Sequence, residues 1–153
     1  MLLTPTLRLA TTADWPQLAA LLEDAKLPLA GVADHLAGFL VAEDGGAIVG
    51  SAGLEIYGRH ALLRSVAVTS TRQGTGLGGA LTEAALDLAR RRRLATVTLL
   101  TTTAADYFPR FGFQPIDSAA APSAVRQSTQ FHGICPASAV AMHLELNPEQ
   151  AAS

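Results

Sequence analysis

A mostly apolar run, a loop dense in glycine and a helical segment follow one another in the middle of this chain. The run closes on Val66-Ala67-Val68, and the loop reads Arg72-Gln73-Gly74-Thr75-Gly76-Leu77-Gly78-Gly79. From Gly76 to Arg91, Leu77, Leu81, Ala84, Ala85 and Leu88 share one helical face, with Thr82, Glu83, Asp87 and Arg91 on the other. That spacing predicts an amphipathic helix. Thr96-Val97-Thr98-Leu99-Leu100 is a β-branched run. Two strands joined through a helix need a crossover, so these two are predicted to be parallel neighbours.

The remaining elements are placed around that crossover. Leu7 to Ala10 alternates weakly as a short strand, and Thr11 or Thr12 caps a helix carrying Pro16, Leu18, Leu21 and Leu22. Leu27 to Asp34 reads as a loop leading to a short helix near His35. Phe39 to Glu43 and Ala47 to Tyr57 are strands joined by Asp44-Gly45-Gly46, a hairpin signal. Gly58-Arg59-His60 turns the chain into the strand Ala61 to Val68. Beyond the crossover come a short helix around Ala104 to Arg110, a strand from Phe113 to Ile116, a long loop from Ser118 to Ser128, and a closing strand from Val140 to Leu146. The expectation is one domain over residues 1–153 of the α/β class, with a mixed sheet at its centre.

Composition narrows the function classes without choosing one. The 153 residues are 49% hydrophobic, enough for a single core. No stretch approaches the roughly 20 apolar residues that span a bilayer, so no membrane partner is expected. Met1 to Ala10 holds one Arg and no apolar run of signal-peptide length, and the lone Cys135 offers no disulfide. A reducing cytoplasm is the expected compartment. The net charge of -2 argues against nucleic acid as the main partner, and a homodimer is left open. His132 and Cys135 lack neighbours at metal-ligand spacing, so no metal is expected.

The glycines permit backbone conformations closed to other residues and remove Cβ atoms that would bar a close ligand. Free amides at a helix N-terminus, with roughly half a positive charge from the macrodipole, form an anion site. A tight strand-to-helix turn is the plainer reading. No Lys-Ser or Lys-Thr follows the glycines, which excludes a P-loop. Gly74-x-Gly76-x-x-Gly79 has the bare dinucleotide spacing, but it follows antiparallel strands and Thr101-Thr102-Thr103 stand where an acid should close the next strand.

The combination resembles the GCN5-related N-acetyltransferase (GNAT) superfamily. Its signature, Gln or Arg-x-x-Gly-x-Gly or Ala, is met by Gln73-Gly74-Thr75-Gly76-Leu77-Gly78. Leu63-x-x-Val66-Ala67-Val68 and Phe111-Gly112-Phe113 stand where that family has its pantetheine-binding strand and its Gly-Phe turn. The likeness covers essentially the whole chain. It implies a GNAT-type, mostly antiparallel sheet with helices on both faces and acetyl-CoA as donor. Val66, Ala67 and Val68 would run beside the pantetheine, and Gln73, Gly74, Thr75, Gly76, Leu77, Gly78 and Gly79 would take the pyrophosphate. Direct attack of an amine on the thioester is implied, without a covalent enzyme intermediate. Gly53-Leu54-Glu55-x-Tyr57-Gly58, Ala61-Leu62-Leu63-Arg64-Ser65-Val66, Leu99-Leu100-Thr101-Thr102-Thr103-Ala104 and Cys135-Pro136-x-Ser138-Ala139 look like the N-acetyltransferases of bacterial arsenic-resistance operons. That likeness implies a small-molecule primary amine as acceptor, an amino-acid-like arsenical or phosphinate antimetabolite.

Such chemistry needs a proton removed from the ammonium and a thiolate released. The family often has a Tyr four residues before the Gly of its Gly-Phe turn; here that position is Phe108, with Tyr107 beside it as a displaced acid or a plain packing aromatic. Glu55, flanked by Leu54 and Ile56, is the preferred base, the alternatives being a solvated carboxylate or a structural pair with Arg64. Strand alternation puts Tyr57 on the face of Glu55. Arg64 interrupts an apolar strand and suits bidentate capture of an anionic substrate. His60, Thr101 and Thr103, with Thr102, are further candidates for the acceptor pocket, the plainer readings being a solvated turn histidine and threonines that suit a strand. Ser65 reads as a small residue accommodating CoA. Arg90-Arg91-Arg92-Arg93 closes the central helix, where cations favour the dipole and Asp87 can pair with Arg91; contact with the 3′-phosphate of CoA is the sharper reading. A protein or peptide N-acetyltransferase, or a non-catalytic acyl-CoA-binding module, are the competing functions.

Overall fold

The computed structural model describes residues 4–132 and 139–146, and the Cys135-Pro136-x-Ser138 stretch lies outside them. Strands form at β1 (Thr6–Leu9), β2 (Phe39–Asp44), β3 (Ala47–Tyr57), β4 (His60–Val68), β5 (Thr96–Thr101), β6 (Gln114–Ile116) and β7 (Val140–Glu145). The helices are α1 (Trp15–Asp24) and α2 (Leu77–Arg91). Among the described residues the strands make one sheet in the order β1-β2-β3-β4-β5-β7-β6. β4 and β5 run parallel, as the crossover through α2 requires, while β1 with β2, β2 with β3, β5 with β7 and β6 with β7 are antiparallel. No described helix is long and apolar enough to cross a membrane.

The chain forms two compact units, residues 1–54 with 65–85 and residues 55–64 with 86–153. In the first, Leu18, Leu21 and Leu22 of α1 pack on Val32, Phe39, Val41, Ile48 and Ala67. A register shift at Ala42/Glu43 sets Gly50 opposite Ala42. A Cβ at Gly50 would lie 2.7 Å from Leu81 Cδ1, so α2 rests directly on the backbone there, on the face opposite α1. The start of α1 is fixed by charge as well as packing. Asp14, the N-cap of α1, closes a capping box with Thr11 over the preceding 3₁₀ turn Thr12–Asp14 and accepts from Arg8 at 2.8 and 2.9 Å, and Arg8 also reaches Glu43 at 2.7 Å. The Arg8 hydrogen bonds, against the opposing effect of burial, hold the Asp14 carboxyl well below the usual carboxylate range.

In the second unit Val97, Leu99, Ala141, Met142, Phe108 and Phe113 are buried. Two local expectations are corrected there, the helix near Ala104 and the partner of Asp87. The helix expected over Ala104–Arg110 is a 3₁₀ turn at Phe108–Phe111, confined between Pro109 in its first turn and Gly112, which takes φ 100° as its C-cap. The loop Ser118–Ser128 is built of 3₁₀ turns at Ser118–Ala120 and Val125–Gln127, with Ala121, Val125 and Ser128 buried. Asp87 pairs with Arg90 at 3.0 Å rather than with Arg91. The polar face assigned to α2 also needs revision in the first unit: Thr82 is fully buried, its hydroxyl satisfied by the Gly78 carbonyl at 2.9 Å.

Candidate active site

The predicted site residues fall into two groups, one in each unit. Val66, Ala67 and Val68 open the first group, beyond the stretch of β4, His60 to Leu63, that pairs with β5. Ser65 sits in the left-handed region at φ 59°, and its carbonyl accepts from Ser51 Oγ at 2.7 Å. After Val68, the Thr69 N–H donates to the Val49 carbonyl at 2.9 Å and Ser70–Arg72 makes one 3₁₀ turn. Gln73 Nε2 donates to the Val68 carbonyl at 3.2 Å, and Thr75 Oγ1 to the Arg72 carbonyl at 2.5 Å.

Gly74 and Gly76 adopt φ 79° and 86°, and a Cβ at either would meet nothing within 4 Å. Backbone conformation, not crowding, calls for glycine there, and the loop surface stands open. Ala80 N–H to the Gly76 carbonyl, at 3.0 Å, begins the bonding of α2. The amides of Leu77, Gly78 and Gly79 precede it, at the positive end of the helix dipole. A cleft of about 320 Å³ is lined by Thr71, Arg72, Thr75, Gly76 and Leu77. Another, of about 540 Å³, is bordered by Val68, Ser70 and Gln73 together with Gln17 and Asp24 of α1.

The second group centres on a buried ion pair. Arg64 Nη1 donates to Glu55 Oε2 at 2.6 Å, and Tyr57 Oη donates to Glu55 Oε1 at 2.5 Å. Ser128 hydrogen-bonds to the same carboxylate. Burial by itself would raise the Glu55 carboxyl, but the hydrogen bonds from Tyr57, Ser128 and Arg64, with the Arg64 charge, outweigh it and hold it below its ordinary value. The Tyr57 phenol is pushed up to about 12, first by burial and then by its bond to the Glu55 carboxylate. The arrangement is thus a carboxylate kept ionised by its donors. It realises the Arg64 pairing that the sequence left open. Ser128 escaped the sequence reading; its one local signal is a Ser capping a turn, the Gln130 N–H donating to Ser128 Oγ at 3.1 Å.

The other candidates are engaged locally. His60 Nδ1 lies 2.8 Å from Thr96 Oγ1, and Thr101 Oγ1 accepts from the Ala104 N–H at 2.9 Å. Thr102 and Thr103 are exposed. Tyr107 is half-buried, edge-on to Phe108 and Phe111 at 5.3 and 5.4 Å, with the Arg110 guanidinium 4.3 Å from its ring centroid. Phe108 is buried against Phe113, so the position where a family acid is often found serves packing here. Across β5, His143 Nδ1 lies 3.2 Å from Thr98 Oγ1; burial pushes this imidazole down, opposed by Glu145 and reinforced by His60. Among the described residues no three His, Cys, Asp or Glu side chains stand together as a metal site.

Comparison with known proteins adds to this geometry. A family model described as an acetyltransferase (GNAT) domain matches residues 35–115, more than half of the chain. No curated protein matches. N-acetylglutamate synthase from Neisseria gonorrhoeae, complexed with coenzyme A and N-acetyl-glutamate, has a TM-score of 0.79 and 22% identity over 96% of this chain. This chain spans 36% of that enzyme's chain. Rv2747 from Mycobacterium tuberculosis, in complex with CoA, has a TM-score of 0.74 and 25% identity, covering 93% of this chain and 99% of that one. The ribosomal-protein-S18-alanine N-acetyltransferase from Escherichia coli has a TM-score of 0.72 and 20% identity, over 92% of this chain and 93% of its own.

Proposed function

The chain belongs to the acetyltransferase (GNAT) domain family, and from that membership we propose that it moves the acetyl group of acetyl-CoA to the primary amine of a small molecule. The observation that carries the donor half is the open glycine loop, with Gly74 and Gly76 at positive φ ahead of the free amides of α2. In this reading the pyrophosphate rests on the amides from Gln73 to Gly79, and the pantetheine runs along Val66, Ala67 and Val68. The amine lone pair attacks the thioester carbon, the C–S bond breaks, and the thiolate leaves. A thiol of pKa about 8.5 leaves without an enzymatic acid, which agrees with a phenylalanine at position 108. Tyr107 is the displaced candidate for that proton.

On the acceptor side, Glu55 is the candidate base and Arg64 the candidate anchor, with Tyr57, His60, Thr101 and Thr103 as further pocket residues. The donors that keep Glu55 ionised also lower its proton affinity, so it orients Arg64 and Tyr57 at least as much as it accepts a proton. A buried arginine suits an acceptor that carries an anion, such as an amino-acid-like arsenical or phosphinate. The N-acetyl-glutamate bound by the Neisseria gonorrhoeae relative, itself an anionic amino-acid derivative, supports that class. The likeness to a ribosomal-protein acetyltransferase supports a peptide acceptor as the second reading.

A CoA-release assay with acetyl-CoA and a panel of amines tests this. Turnover is expected on small amino acids and phosphinate analogues bearing an anion, and not on neutral amines. Turnover confined to a peptide with a free N-terminal alanine would replace the small-molecule reading, and acetyl-CoA binding with no turnover on any amine would leave a binding module.

A further inference from the structure

Asp44 reaches the glycine loop from another part of the chain. It closes β2 at the hairpin whose tip, Gly45-Gly46, adopts φ 59° and 85°, and its carboxylate accepts from the guanidinium of Arg72. The two side chains are only 19% and 26% exposed, Arg72 and Asp44 respectively, so water screens the pair less than it would at an open surface. Arg72 is the residue before Gln73, and its backbone is held on both sides. Its N–H donates to the Thr69 carbonyl at 2.9 Å, and its carbonyl accepts from Thr75 Oγ1 at 2.5 Å. The hairpin is itself fixed to α1, because Gln17 donates to the Gly46 carbonyl at 3.2 Å and accepts from the Ile48 N–H at 2.9 Å. A continuous set of contacts thus runs from α1 through the hairpin to the first residue of the loop.

A loop with two glycines at positive φ has many conformations open to it in the free protein. Ordering such a loop only when a ligand arrives lowers affinity, and ordering it beforehand removes that loss. Arg72 also borders the cleft over Thr75 and Gly76, but with Asp44 on its guanidinium it is not a free cation for a phosphate.

We propose that Asp44 is a positioning residue for this loop: through Arg72 it holds Gln73–Gly79 in the phosphate-receiving conformation before acetyl-CoA binds. The proposal rests on the reading that the loop receives the acetyl-CoA pyrophosphate. Titration calorimetry with acetyl-CoA on the full chain, alongside thermal melts, tests it with Asp44→Asn, Asp44→Glu and Arg72→Gln. Asp44→Asn and Arg72→Gln are expected to raise the acetyl-CoA Kd about tenfold while Tm stays within about two degrees, and Asp44→Glu, which keeps the charge, is expected to restore most of the affinity. Three results overturn the proposal: a lowered Tm with unchanged Kd, tighter binding by Asp44→Asn, or an Asp44→Glu protein as weak as Asp44→Asn. Tighter binding would mean that Arg72 meets the phosphate itself once released. A wild-type protein that binds no acetyl-CoA removes the underlying reading as well, and the wild-type titration tells the two failures apart.

Discussion

Glu55 and Arg64 are 1% and 5% exposed, and each is tolerable in that setting because of the other. Glu55→Gln would keep the shape of the side chain and remove the charge opposite a buried guanidinium. The expected loss is on the order of 3 to 5 kcal/mol of folding stability, read as a lowered Tm. The pH dependence has a definite sign. Because the folded Glu55 carboxyl lies below its unfolded value, its contribution is fully present above the ordinary carboxylate pKa of about 4.3 and is lost as pH falls through the lower folded value. The difference between wild type and Glu55→Gln should therefore shrink in melts carried from neutral pH into strong acid; a constant difference would show that the charge is not what stabilises. Both members of the pair were legible in the sequence, as charges breaking apolar strands. Ser128 was not, because its contact with Glu55 depends on where a segment without periodicity returns in three dimensions.

Among the elements, the turn from β4 into α2 makes the sharpest demand on residue type. Gly76 at φ 86° faces open space, so Gly76→Asp meets no atom of the protein but strains the backbone and sets a negative charge where phosphate is proposed to bind. The variant is expected to fold, with a native circular-dichroism spectrum, and to bind acetyl-CoA at least tenfold more weakly in the same calorimetric titration. Unchanged affinity in a folded variant would move the pyrophosphate elsewhere. The strand pattern and the parallel crossover could be read from β-branching and helical spacing, since both are local signals. The segment from Ala104 to Arg110 misled because its composition suits a helix, while Pro109 and Gly112 leave room for a single turn. The burial of Thr82 on α2 could not be read either, because a hydroxyl bonded to its own helix counts as polar in the sequence and apolar in the core.

Across the whole molecule the chain passes from one compact unit to the other after Leu54, after Arg64 and after Ala85. β3, β4 and α2 each contribute residues to both, so neither unit can be cut out as one continuous segment. A single cooperative unfolding transition is expected, with calorimetric and van't Hoff enthalpies in agreement, and two resolved transitions would show the units to be independent domains. The parallel pairing of β4 with β5 bears on how the protein is made. His60 and its partner Thr96 are 36 residues apart. At roughly 5 to 20 residues per second a ribosome needs about two to seven seconds to supply β5 after β4 has been synthesised. Until β5 has been supplied, Ala61-Leu62-Leu63 lacks the parallel neighbour that covers one side of it in the native sheet. Codon choice along α2, which alters neither the native contacts nor the stability of the finished protein, sets how long that stretch waits.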